Sequence, residues 1–146
     1  MDIVHNQTLN VSQDRLWTLL TELEELQKWS PSIISDTPIS DGEPGPGFKT
    51  KMLIREGKSE VKYESELLEY TPQSRIVMQL RGGNLGKGPM TLTYDLTPDG
   101  DQTHLRYRSE WPPVGIMMKL MHPLIVKMSR RNVTEQMDSL RKVAEG

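Results

Sequence analysis

The sequence predicts an α+β domain in which a curved antiparallel sheet closes over one long C-terminal helix. Three observations predict it. Strand-like alternation of apolar and polar residues recurs from Phe48 to Trp111 in runs separated by turn residues. Two of these runs pair in a single register with opposite charges on one face and mostly apolar residues on the other. The last third, Val114 to Gly146, sets Val126, Val133, Met137, Leu140 and Ala144 at helical spacing, with Lys127, Arg130, Arg131, Glu135, Asp138, Arg141 and Lys142 around them. An amphipathic helix of this kind is not stable alone and needs a broad apolar surface, which a one-faced sheet supplies.

The elements follow in order. Ile3 to Val11 alternates and reads as a strand, with Ile3, His5, Gln7 and Leu9 on its inner face. Ser12 is a good helix N-cap before Leu16, Trp17, Leu19, Leu20 and Leu23. That helix is expected to break and restart between Thr21 and Trp29, giving two short helices, and Pro31 stops the second. Residues 32–47, rich in Pro and Gly, leave room for at most one short strand. Phe48 to Glu56 and Ser59 to Tyr70 flank Gly57-Lys58, a pair suited to a type II′ turn. Pairing outward from that turn sets Arg55 against Glu60, Lys51 against Glu64 and Lys49 against Glu66. The other face then sets Ile54 against Val61, Met52 against Tyr63, Thr50 against Ser65 and Phe48 against Leu67. Arg75 to Arg81, Pro89 to Thr97 and His104 to Trp111 are further strands; the last two place Tyr94 opposite Tyr107 and Asp95 opposite Arg106. Pro112 and Pro113 end the sheet, and the loop at residues 82–88 holds four glycines.

Length and composition fit one domain over residues 1–146 with room for a core. A formal net charge of -2 and 35% hydrophobic residues point neither to disorder nor to a membrane span or a nucleic-acid-binding surface. With no cysteine there is neither a disulfide nor a thiolate site. No run approaches the ~20 apolar residues of a membrane span, and residues 1–11 lack a signal-peptide core, so a cytoplasmic location is expected. His5, His104 and His122 lie on separate elements without metal-ligand spacing; neither a metal nor a cofactor is expected.

Short motifs along nearly the whole chain resemble one superfamily. They are Leu9-Asn10-Val11-Ser12 leading to Leu16-Trp17-Thr18-Leu19-Leu20, Leu26-Gln27-Lys28-Trp29-Ser30-Pro31 and Gly45-Pro46-Gly47-Phe48. Leu68-Glu69-Tyr70-Thr71-Pro72 and Leu140-Arg141-Lys142-Val143-Ala144-Glu145 complete the set. On these residues the chain resembles the helix-grip (START-like, SRPBCC) superfamily, in its polyketide cyclase/dehydrase-like branch. The resemblance implies a sheet of about seven strands gripping the last helix, with an internal cavity between them. It implies no reaction, because members include lipid and hormone carriers, aromatase/cyclases and co-chaperone-like proteins.

The inner faces carry the candidate site. Met52, Met78 and Met90 come from three strands, and Met118 or Met121 from the helix; together they make a flexible, polarizable lining. Gln7, Thr50, Ser65, Tyr63, Tyr94, Tyr107 and Trp111 add polar groups to it. Ordinary core packing explains the methionines equally well. The number of inward hydroxyls favours a cavity, since a buried hydroxyl needs a partner that a ligand or water can provide. Inward Asp, Glu, Lys and Arg are absent in this register, so paired-carboxylate catalysis has no candidates. The leading expectation is a module that binds a hydrophobic small molecule: a lipid, polyketide or aromatic compound. One alternative is an aromatase/cyclase-type enzyme using His5 as general acid or base with Tyr63, Tyr94 or Tyr107. Another is a protein-interaction domain without a ligand.

Residues 114–128 exceed what packing requires. Met117, Leu120, Met121, Leu124 and Met128 form a second stripe on a different face from Val126 and Val133. The stripe is explained by a kink at Pro123 that resets the helical phase, by closure of one cavity end, by a homodimer contact, or by a membrane surface near Lys119 and Lys127.

Overall fold

The structure, a computed structural model, describes residues 1–85, 88–112 and 120–146. Seven strands form one antiparallel sheet: β1 (Asp2–Leu9), β2 (Ile33–Pro38), β3 (Lys49–Glu56), β4 (Ser59–Thr71), β5 (Arg75–Gly82), β6 (Met90–Asp99) and β7 (Gln102–Glu110). Their order across the sheet is β1-β7-β6-β5-β4-β3-β2. β2 to β7 thus run as a meander, and β1 closes onto the last strand. The step from β1 to β2 crosses the whole sheet through two short helices, α1 (Gln13–Thr21) and α2 (Leu23–Trp29).

Turn chemistry and side-chain pairing fix the register. Glu56 pairs with Ser59 around Gly57, whose φ is 61°, while Lys58 keeps a negative φ, as a type II′ turn requires. All the cross-strand pairs expected for this hairpin from Lys49 to Val61 are present. Outside, Lys49 approaches both Glu64 and Glu66 at 3.8 Å, and Arg55 approaches Glu60 at 3.8 Å. These exposed pairs each contribute ~0–1 kcal/mol, so they select a register more than they add stability. The β6–β7 pairs Tyr94–Tyr107 and Asp95–Arg106 are also formed. Two irregularities depart from the simple alternation. β4 carries an extra residue between Leu67 and Glu69, and β2 one between Ile33 and Ser35. The β4 bulge lets Leu67 face Met78 and still returns Tyr70 to the inner face opposite Ile76, where its ring meets Trp17 at 5.5 Å.

The short helices start and stop on readable signals. Ser12 caps α1 by accepting from the Arg15 N–H at 3.2 Å, and Glu22, in extended geometry, separates α1 from α2. The C-terminal helix, α3 (His122–Glu145), begins with Pro123 in its first turn. Proline there leaves no hydrogen bond unmade, so it suits the opening turn of this helix. Residues 114–119 of the expected helix, on which the kink considered at Pro123 depends, lie outside the described residues.

Val133, Met137 and Leu140 of α3 are buried with Ile3, Leu9, Leu16, Leu19, Trp29 and Leu105. Each fully buried side chain of this size stabilises the fold by ~1.5–3 kcal/mol. The Trp29 indole N–H donates to the Leu19 carbonyl at 2.7 Å, tying α2 to α1 inside this core. α3 packs on β1, α1 and α2. None of its Cα atoms comes within 8 Å of a Cα of β2 to β7 among the described residues. The helix is anchored at one edge of the sheet and stands off its middle.

Candidate functional site

The space under α3 is a cavity of about 440 Å³, within the roughly 300–1,000 Å³ usual for small-molecule sites. Its wall is built by strand alternation. Met52 and Ile54 come from β3, Tyr63 from β4, Ile76, Met78 and Leu80 from β5, and Met90, Leu92 and Tyr94 from β6; Tyr107 on β7 and Trp111 just beyond it continue the same face. The helices close the other side with Leu20, Leu26, Trp29 and Gln136. A second hollow, about 470 Å³, lies between α3 and the α2–β2 connection and shares seven residues with the first, Ser30, Trp111 and Gln136 among them. Gln136 Nε2 donates to Ser30 Oγ at 3.4 Å where the two meet.

The polar groups fall into two sets. At the hairpin end, the Tyr63 hydroxyl donates to Glu56 Oε1, and Asn84 Nδ2 donates to Glu56 Oε2 at 2.5 Å. This clasp joins the β3–β4 hairpin to the loop after β5. Tyr63 lies so close to that loop that a Cβ on Gly83 (φ 53°) would collide with its ring. Burial and the bond to Glu56 together push the Tyr63 hydroxyl up to about 12. At the opposite side, the Tyr94 and Tyr107 rings lie with centroids 5.2 Å apart and planes tilted by 59°. Burial raises Tyr107 to about 12, opposed by the nearby Ser109 hydroxyl, and drives Tyr94 well above the ordinary phenol range. All three phenols are therefore protonated at neutral pH and act as uncharged donors. Trp111 Nε1 is buried without a hydrogen-bond partner among the described residues.

The structure brings together Met52, Tyr63, Met78, Met90, Tyr94, Tyr107 and Trp111. Other residues expected on the lining are elsewhere. Gln7 is turned to the helix, its Nε2 donating to the Met137 carbonyl at 3.3 Å. Thr50 and Ser65 satisfy each other at 2.5 Å and are not among the lining residues. Met121 is 51% exposed at the start of α3, and Met118 lies outside the described residues. His5 sits half-buried opposite Tyr107 on β1. It is not on the cavity lining, and among the described residues its side chain makes no hydrogen bond to a tyrosine, so the pair that acid–base chemistry needs is not assembled. The expected absence of inward carboxylates is corrected twice. Glu56 borders the cavity, and Asp36 on β2 lies on the inner face across from Met52, with a buried Oδ1 lacking a hydrogen-bond partner. Glu56 shares the parity of Met52 and Ile54, a signal present in the sequence. Gln136 stands three residues after Val133 and four before Leu140, on the same helical stripe.

Residues 1–145 match the family described as polyketide cyclase / dehydrase and lipid transport. No curated protein matches the chain. Solved structures with the same fold include TTHA0849 from Thermus thermophilus, at TM-score 0.75 and 16% identity over 99% of this chain and 97% of that one. Ara h 8.0201 follows at 0.70 and 15%, over 100% and 95% of the two chains. The Aha1 dimer from Colwellia psychrerythraea has TM-score 0.67 and 16% identity, over 99% and 96%. At these identities the likeness is one of fold.

Proposed function

This chain belongs to the polyketide cyclase / dehydrase and lipid transport family, and from that premise we propose that it binds a hydrophobic small molecule, a lipid, polyketide or aromatic compound, under its C-terminal helix. The observation that carries the reading is the hollow of about 440 Å³ walled by methionine, leucine, isoleucine and aromatic side chains. A ligand there exchanges water for apolar surface and meets protonated hydroxyls that orient it. The direct test fills the space. Met78→Trp should lower the affinity for N-phenyl-1-naphthylamine, an uncharged apolar dye, by about ten-fold or more while circular dichroism stays unchanged. His5→Ala should leave the dye affinity unchanged. Undiminished dye binding by the tryptophan variant would move the ligand out of this cavity.

A second reading concerns self-association. Leu120, Met121, Leu124 and Met128 are all exposed at the start of α3, from 51% to 82%. An apolar strip of this kind suits a contact with a second copy. Leu124→Glu should then convert a dimer to a monomer in light scattering; a monomeric parent protein removes the idea.

A further inference from the structure

We propose that the cavity selects an uncharged amphiphile carrying a hydrogen-bond acceptor, such as a ketone, ester, amide or lactone, and rejects an ionised carboxylate or phosphate. The inference rests on reading the cavity as a ligand site. Its described lining contains no Lys, Arg or His, and its one ionisable carboxyl group is Glu56. An anion entering this space leaves water, finds no cation, and meets the field of a like charge. A cation is no better served, because both Glu56 oxygens already accept, from Tyr63 and Asn84.

The uncharged donors say where the acceptor goes. Tyr94, Tyr107 and Trp111 share the β6–β7 side of the cavity. An indole nitrogen only donates, and that of Trp111 is buried without a partner among the described residues. Leaving such a group unsatisfied is unfavourable, so an acceptor placed against it gains more than one placed in water. The ligand therefore lies with its acceptor toward Trp111 and its apolar body among Met52, Met78 and Met90.

The experiment uses the intact protein with N-phenyl-1-naphthylamine as reporter, displaced at neutral pH by a matched pair of equal chain length. Dodecanoic acid is ionised there and dodecanamide is not. The amide should compete at a concentration about ten-fold below the acid, a difference of about 1.4 kcal/mol. Glu56→Gln should narrow that gap by weakening the repulsion of the acid. Trp111→Phe, which keeps an aromatic side chain and deletes the donor, should weaken the amide about five-fold more than it weakens the dye. Competition by the acid as strong as by the amide, or displacement by neither, overturns the selectivity while cavity binding stands. An amide affinity insensitive to Trp111→Phe overturns the placement of the acceptor. Failure of the dye to bind at all overturns the cavity reading itself and this inference with it.

Discussion

At Asp36 a carboxyl group is held where burial favours its neutral form. Its Oδ1 is buried and unpartnered, and burial raises its affinity for a proton more than a hydrogen bond with Thr50 lowers it. The folded state therefore binds the Asp36 proton more tightly than the unfolded chain does. By linkage, the stabilisation from this group is full below the unfolded value near 3.8 and fades as pH rises through the higher folded one. Asp36→Asn should accordingly raise the urea midpoint at pH 7 and leave it nearly unchanged at the acid end. A midpoint lowered at pH 7 would mean that the ionised carboxylate is stabilised by the fold. Nothing in the sequence marks Asp36, because the Pro- and Gly-rich surroundings of β2 blur its alternation and the bulge after Ile33 shifts its phase.

The same contrast between legible and hidden features holds for whole elements. The β3–β4 hairpin is readable because its turn residues and its two faces constrain one register independently. The helix pair is readable from Ser12 and the interruption near Thr21. The bulge in β4 is not, since Leu67 and Leu68 in succession fit a buried strand as well as an inserted residue. Nor is the clasp between hairpin and loop, which depends on Tyr63, Gly83 and Asn84 meeting in space. Gly83→Ala adds a Cβ at a left-handed φ of 53° and drives it into the Tyr63 ring. The conformational part alone costs about 1–2 kcal/mol, and the clash adds to it. Urea denaturation should show a loss of about 2–4 kcal/mol. In a Tyr63→Leu background the same change should cost only the conformational share, because the ring is gone.

For the molecule as a whole, the cavity is a place where packing was left incomplete, and occupancy should be visible as stability. A ligand at 100 times its dissociation constant stabilises the native state by about 2.7 kcal/mol. For a chain of this size that corresponds to a rise in Tm of about 5–10 °C, measurable by scanning calorimetry with N-phenyl-1-naphthylamine. No rise at saturating dye would mean that the dye binds the unfolded chain as well as the folded one. The architecture that creates the hollow also orders events in time. The strand beginning at Asp2 finds its neighbour only when the segment from Gln102 to Glu110 exists, and the helix that lies on it comes later still. During synthesis the earliest strand to emerge must wait for nearly the last, and contacts between such distant parts of a chain form slowly. Until then its apolar side is uncovered, so a protein built this way has reason to need attention from chaperones while it is still on the ribosome.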